Sequence, residues 1–206
     1  TGVAIHGLTQ VEVTSGTTTV ISNDSSYTGG TTINGGTFLV DNTIGSGTGT
    51  GNVLVNAGGT LGGKGTIAPT GTNSVTVSGN LSPGDTASGG TTGTLKFNLS
   101  SGTHLTFNSG ATLTLNLVGG GTSDEVNFTS AAGTGNEWLA GAGNLTLVLD
   151  LSGTDPYAQT YDVFNNAIGN LTTGQFTVAD ITGYDSSAYT AVFDQSGNNY
   201  DVSFSP

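Results

Sequence analysis

The sequence predicts an all-β protein: a parallel β-solenoid closed at its C-terminal end by an antiparallel β cap. The first observation is run length. Between Gly29 and Ile67 the apolar residues come in short runs, Thr32-Ile33, Thr37-Phe38-Leu39-Val40, Asn52-Val53-Leu54-Val55 and Thr60-Leu61. Runs this short cannot sustain a helix, and their β-branched residues favour strands. The second is punctuation. Each run leads into Gly-Gly, Asn-Ala-Gly-Gly or a polar Gly/Thr/Ser tract, and glycine supplies the positive-φ corners that other residues adopt only under strain. The third is that strand and corner keep repeating, which is how a stack of coils is written.

In chain order, residues 1–22 read as an N-terminal strand. Val3, Ile5, Val11 and Val13 fall on alternate positions, and Thr18–Ile21 is a further short strand. This segment serves either as a cap over the first coil or as a strand that leaves its own subunit to pair with a neighbour. Residues 23–150 read as the solenoid, with later strands at Ser74–Ser78, Thr94–Leu99, His104–Phe107, Ala111–Leu117, Asp124–Phe128 and Asn144–Leu151. Alternation puts Leu95, Phe97, Leu99, Leu113, Leu115 and Leu117 inside, with Lys96, Asn98, Thr112, Thr114 and Asn116 outside. The outward Thr and Asn rows are placed to hydrogen-bond from rung to rung. Ser82-Pro83-Gly84-Asp85 reads as a turn. Phe38–Val40 is expected to pair in parallel with Val53–Val55. The expected core comprises Ile33, Phe38, Val40, Val53, Val55, Leu61, Ile67, Val75, Val77, Leu95, Phe97, Leu113 and Leu115. Residues 151–206 change character: aromatics rise and Gly-Gly corners disappear. Strands at Tyr161–Phe164, Ala188–Asp194 and Asn199–Phe204, with a turn at Gln195-Ser196-Gly197-Asn198, predict the antiparallel cap. Asn165–Leu171 is the only place for a helix.

The stretches GGTTINGGTFLVDN, GSGTGTGNVLVNAGGTLGGKGTI and VTVSGNLSPGD, in order from Tyr27 to Asp85, resemble the autotransporter-associated β-strand repeat, also called the passenger-associated transport repeat. The likeness continues more loosely through GTLKFNL and FNSGATLTLNL to Val118. The resemblance implies a right-handed parallel β-helix, used as a stalk or passenger element in large bacterial surface or secreted proteins. It brings no catalytic residues.

Composition excludes several classes. The formal net charge is −12 and the basic residues are Lys64 and Lys96, with no arginine. No basic patch for nucleic acid or an anionic membrane can be built from them. No apolar run is long enough to span a membrane. Cysteine and methionine are absent, so there is no disulfide framework. The chain begins at Thr1, which reads as a mature polypeptide freed of its signal or a fragment of a longer one. The acidic Thr/Gly/Asn-rich composition suits a secreted, extracellular or cell-surface location.

Candidate chemistry is thin. Asp124 and Glu125 are adjacent and face opposite sides of a strand, so they cannot work as a hydrolytic pair. The other aspartates read as solvated loop residues. His6 and His104 lack zinc-ligand spacing. Oxygen ligands for calcium are offered by Asp150, Asp155, Asp180 and Asp185, although no EF-hand loop or calcium-binding nonapeptide repeat is present. No other cofactor is indicated. The expected function is therefore non-enzymatic: a β-helical subunit of an extracellular fibre, filament or matrix, assembled head to tail as a homopolymer through Val3, Ile5, Val11 and Val13. A carbohydrate-binding or adhesive passenger module is the alternative. Trp138, Tyr184 and Tyr189, with Tyr157, Tyr161 and Tyr200, would then meet an extracellular polysaccharide, unless these rings form the core of the cap. A polysaccharide-degrading β-helix enzyme is the third reading, disfavoured because acid–base chemistry on a charged glycan needs cations this chain lacks.

Overall fold

The computed structural model describes residues 4–16, 18–84, 92–99, 102–129, 138–140, 145–151, 155–157, 159–167, 176–182 and 188–206. Among these the protein is all-β, with no helix. Its strands form three sheets, most of their pairs parallel. The first sheet runs β1 (Val11–Val13), β3 (Thr31–Ile33), β5 (Val53–Val55), β8 (Val75–Val77), β11 (Leu105–Phe107) and β15 (Trp138–Ala140). The second runs β2 (Thr18–Ile21), β4 (Gly36–Val40), β6 (Gly59–Gly63), β9 (Asn80–Pro83), β12 (Thr112–Val118), β16 (Leu145–Asp150) and β18 (Phe176–Thr182), with β13 (Thr122–Ser123) folded back antiparallel on β12. The third runs β7 (Thr66–Ile67), β10 (Thr94–Phe97), β14 (Glu125–Phe128), β17 (Thr160–Asn165), β20 (Asn199–Ser205) and β19 (Thr190–Ser196).

Alternation sets the core. Val13, Ile33, Val55, Val77 and Phe107 are successive register partners in the first sheet, and all are buried. Phe38, Leu61, Leu81, Leu113 and Leu147 form the matching row in the second. In the third, Ile67, Phe97 and Phe128 stack, with the two phenyl centroids 6.0 Å apart. Every expected core residue from Ile33 to Leu115 is buried. Burial of each such side chain contributes about 1.5–3 kcal/mol. On the outside, Asn56 Nδ2 donates to Asn34 Oδ1 at 2.6 Å and Asn34 Nδ2 to Glu12 Oε1 at 2.6 Å, each step 22 residues along the chain. Thr112 and Thr114 hydroxyls both donate to Asn80 Oδ1, at 2.8 and 3.0 Å. The expected rung-to-rung polar rows are therefore present.

Several expectations need correction. Phe38–Val40 does not pair with Val53–Val55. It pairs with Leu61–Gly63 on one side and Thr19–Ile21 on the other, while Val53–Val55 pairs with Thr31–Ile33 and Val75–Val77. Here each strand pairs with one 22 or 23 residues further along, Thr31 opposite Val53 and Gly36 opposite Gly59, and not with the next in sequence. Ser82 and Pro83 do not open a turn; they end β9, and Gly84 just beyond them pairs with Gly63 through an antiparallel bridge. Asn116 is buried, not outward, because the chain folds back through β13 and covers it. Asp150, at the end of β16, is also buried and not a solvated loop residue. At the one place the sequence left for a helix, Asn165 ends β17; 168–171 lie outside the described residues.

Parallel pairing continues past residue 150, with β17 on β14 and β18 on β16. The antiparallel pairs β17–β20 and β19–β20 follow, and Gly197, at φ 62°, makes the hairpin turn. At the opposite end the third sheet begins only at β7. Before it, residues 41–52 are irregular and use buried side chains in place of a ladder. Asn42 Oδ1 accepts from Thr66 N at 2.9 Å, and Asn42 Nδ2 donates to the Ile44 and Gly45 carbonyls at 2.9 and 3.1 Å. Ser46 Oγ donates to Gly49 O at 2.7 Å. Buried backbone groups must find partners somewhere, and short polar side chains supply them here. Gly49 has φ +65°, and a Cβ there would lie 2.2 Å from Tyr27 O, so only glycine fits.

Candidate functional site

Open strand edges, an exposed aromatic pair and a buried carboxylate are the features with chemical consequence. β1 pairs with β3 of its own chain, and Val13 is buried there while Val11 and Ile5 are half-buried against the core. Ile5 O accepts from Ser26 N at 2.9 Å, so the N-terminal segment runs along the body of the protein. Val3 lies outside the described residues. Among the described residues β1 is nevertheless the end strand of its sheet, with β3 on one side only.

The expected glycan contacts separate. Tyr161 and Tyr200 are buried in the core, with Tyr161 edge-on to Phe204 at 6.1 Å between centroids. Burial pushes both phenols up from their ordinary pKa. Trp138 lies in β15 opposite Leu105, its side chain outside the description, as is all of Tyr184. Tyr189 does reach the surface region, where its ring meets that of Tyr157 at 6.4 Å between centroids, tilted 37°. Tyr157 is 54% exposed. Asp155 joins the two: its Oδ1 accepts from Tyr157 N at 2.9 Å and from the Tyr189 hydroxyl at 3.3 Å. Gln159 props the loop, donating to Asp155 O at 2.9 Å and accepting from Gly120 N and Gly121 N at 2.7 and 2.8 Å.

The calcium ligands do not assemble among the described residues. Asp150 is buried and Asp155 exposed, Asp180 lies in β18 without a described side chain, and Asp185 is outside the description. No described group of three or more His, Cys, Asp or Glu residues has a metal-holding arrangement. His6 Nδ1 is 2.7 Å from Ser26 Oγ.

Sequence reasoning missed the role of Asp124. Its carboxylate accepts from Gly93 N at 2.8 Å, from Asn116 N at 2.9 Å and from Asn116 Nδ2 at 2.8 Å. It thereby ties the lead into β10 to the end of β12 at the point where β13 folds back. The only sequence signal was an Asp flanked by the Gly119-Gly120-Gly121 break. Burial pushes its pKa up to about 6, against the hydrogen bonds from Asn116 and Gly93 and the nearby Lys64 charge, which pull it down. Lys64 and Lys96, the chain's two lysines, line one shallow groove with Asp41.

No protein-family model matches the chain, and no curated protein matches it.

Because the folded pKa of Asp124 lies above the unfolded carboxylate value of about 4, this group's contribution to stability is full below that value and is lost as pH rises through about 6. A carbon-13 NMR titration should place the Asp124 carboxyl midpoint near 6, and Lys64→Met should move it higher. A midpoint in the ordinary range around 4 would contradict this burial-dominated account.

Proposed function

We propose that this protein is a non-enzymatic, extracellular structural protein: a right-handed parallel β-solenoid of the autotransporter-associated β-strand repeat type, stacking head to tail into a surface fibre, filament or matrix. The observation that carries the proposal is the state of the sheet ends. Among the described residues, β1, β2 and β7 end the sheets on one side, and β15, β18 and β19 end them on the other. An end strand presents unpaired N–H and C=O groups, which a second copy can pair. A contact between unlike ends is heterologous, and where its rotation does not close a ring it propagates into a filament. The acidic composition, with two lysines and no arginine, leaves little means for lyase chemistry, which needs cations to neutralise a substrate carboxylate.

The test uses the alternation of a parallel ladder. Val11 N donates to Gly30 O and Val13 O accepts from Asn34 N, so the Glu12 backbone faces away from β3. Glu12→Pro removes that outward donor and leaves the β1–β3 ladder in place. Negative-stain electron microscopy should show filaments for the native chain and folded single particles for the variant. A native chain that stays a single particle at high concentration sinks the proposal. Filaments unchanged by Glu12→Pro place the joint elsewhere than β1.

The Tyr157–Tyr189–Asp155 cluster favours a second reading, a carbohydrate-binding or adhesive module. An exposed phenol face packs on the apolar face of a sugar ring while a carboxylate accepts its hydroxyl protons. Tyr157→Ala should then weaken retention on neutral polysaccharide about tenfold, a loss of roughly 1.4 kcal/mol. Equal retention of both chains would remove this reading.

A further inference from the structure

The outer face of the third sheet carries a line of carboxylates. Asp162 on β17, Asp201 on β20 and Asp194 on β19 are direct register partners across three adjacent strands. Glu125, on β14, lines one groove with Asp162. Like charges directly opposite one another in a sheet are destabilising. The central residue is the most constrained: Asp201 is only partly exposed, and its Oδ1 is buried without a hydrogen-bond partner. Glu125 Oε1 is in the same condition. The cation within this sheet's strands, Lys96, sits opposite Thr66 and Asn127, two residues along the strand from the position of Glu125. The tyrosines of these strands, Tyr161 and Tyr200, are buried on the inner face.

Asp162 and Asp201 lie within hydrogen-bonding reach of each other. Two carboxylates cannot hydrogen-bond without a proton between them, because both are acceptors only. We propose that this pair is an acid-operated latch: with a shared proton it fastens β20 to β17, and without it the repulsion among Asp162, Asp201 and Asp194 loosens the β19–β20 hairpin. β19 is the strand most dependent on this, since among the described residues it is held to its sheet through β20 alone. Burial, then the bond to Asp162 and the charges of Asp162 and Asp194, push the Asp201 pKa up. The sign follows: stability from the pair is full below the unfolded carboxylate value and is lost as pH rises through the raised folded one. The hairpin closes the end of the third sheet, so acidity controls how firmly that end is shut.

The test compares thermal melting and backbone amide exchange at about pH 4.5 and about pH 7.5, on either side of a raised carboxyl pKa. The native chain should melt several degrees higher in acid, and amides of 190–196 should exchange faster at neutral pH after correction for intrinsic rates. Asp201→Asn, which keeps the shape and removes the charge, should raise the neutral melting temperature and shrink the acid–neutral difference. Asp162→Asn should do the same, and it decides the matter if Asp201→Asn fails to fold. The Asp124 contribution is common to all three chains and cancels in the comparison. An acid–neutral difference unchanged in the variants, or a neutral melting temperature lowered by removing either charge, would overturn the latch.

Discussion

The parallel strands of this protein depend on pairing, in register, with strands that are not their neighbours in the chain. The second sheet makes the constraint plain. Gly36 to Val40 of β4 lie opposite Gly59 to Gly63 of β6 residue for residue, so Phe38 meets Leu61 inside while Thr37 meets Thr60 outside. A slip of one residue would turn the whole apolar row to solvent. Side chains reinforce the same alignment from outside, since the Asn56–Asn34–Glu12 chain of hydrogen bonds closes only when rungs are 22 residues apart. Later the separation lengthens: Asn108 Nδ2 reaches Ser78 Oγ across 30 residues. The later pair β16–β18 also carries a register shift, with Leu147 opposite Val178 but Val148 opposite Asp180.

Where a ladder is missing, buried polar side chains take over its role. Before β7 the work falls to Asn42, Ser46 and Thr48, and near β13 to Asp124 and Asn116. Tyr27 belongs to the same group: it is fully buried, its hydroxyl lies 2.5 Å from Thr31 Oγ1, and burial pushes its pKa up to about 12. These residues look like ordinary loop residues in the sequence. Their importance comes from the low polarity of their surroundings, in which an unpaired donor or acceptor costs about 1–3 kcal/mol.

This explains what could be read from the chain and what could not. Strand faces were legible wherever apolar and polar residues alternate, as in Leu95-Lys96-Phe97, with Lys96 exposed between two buried neighbours. Pairing partners were not legible from apolar runs alone. Aligning Asn34-Gly35-Gly36-Thr37 with Ala57-Gly58-Gly59-Thr60 would have revealed the β4–β6 pairing, because Thr37 and Thr60 are register partners. Asn116 defeated the alternation rule because a later segment folds back over it. Tyr157 and Tyr189 both stood out as aromatics, but their pairing did not, because the Tyr189 contact with Asp155 spans 34 residues and exists only once β17 and β19 are placed. The carboxylate line of the third sheet likewise needs the register of β17, β20 and β19, which no local pattern states.

Engineered cysteines test the parallel pairing of β5 with β8 most directly, because the chain has no cysteine of its own. Leu54 and Thr76 are register partners on the outer face of the first sheet. Neighbouring strands lie about 4.8 Å apart, within the range a disulfide spans. Mild oxidation of a chain carrying Leu54→Cys and Thr76→Cys should link the two within one molecule. Failure of that pair to link, with ready linking of Leu39→Cys to Leu54→Cys instead, would contradict the stacking.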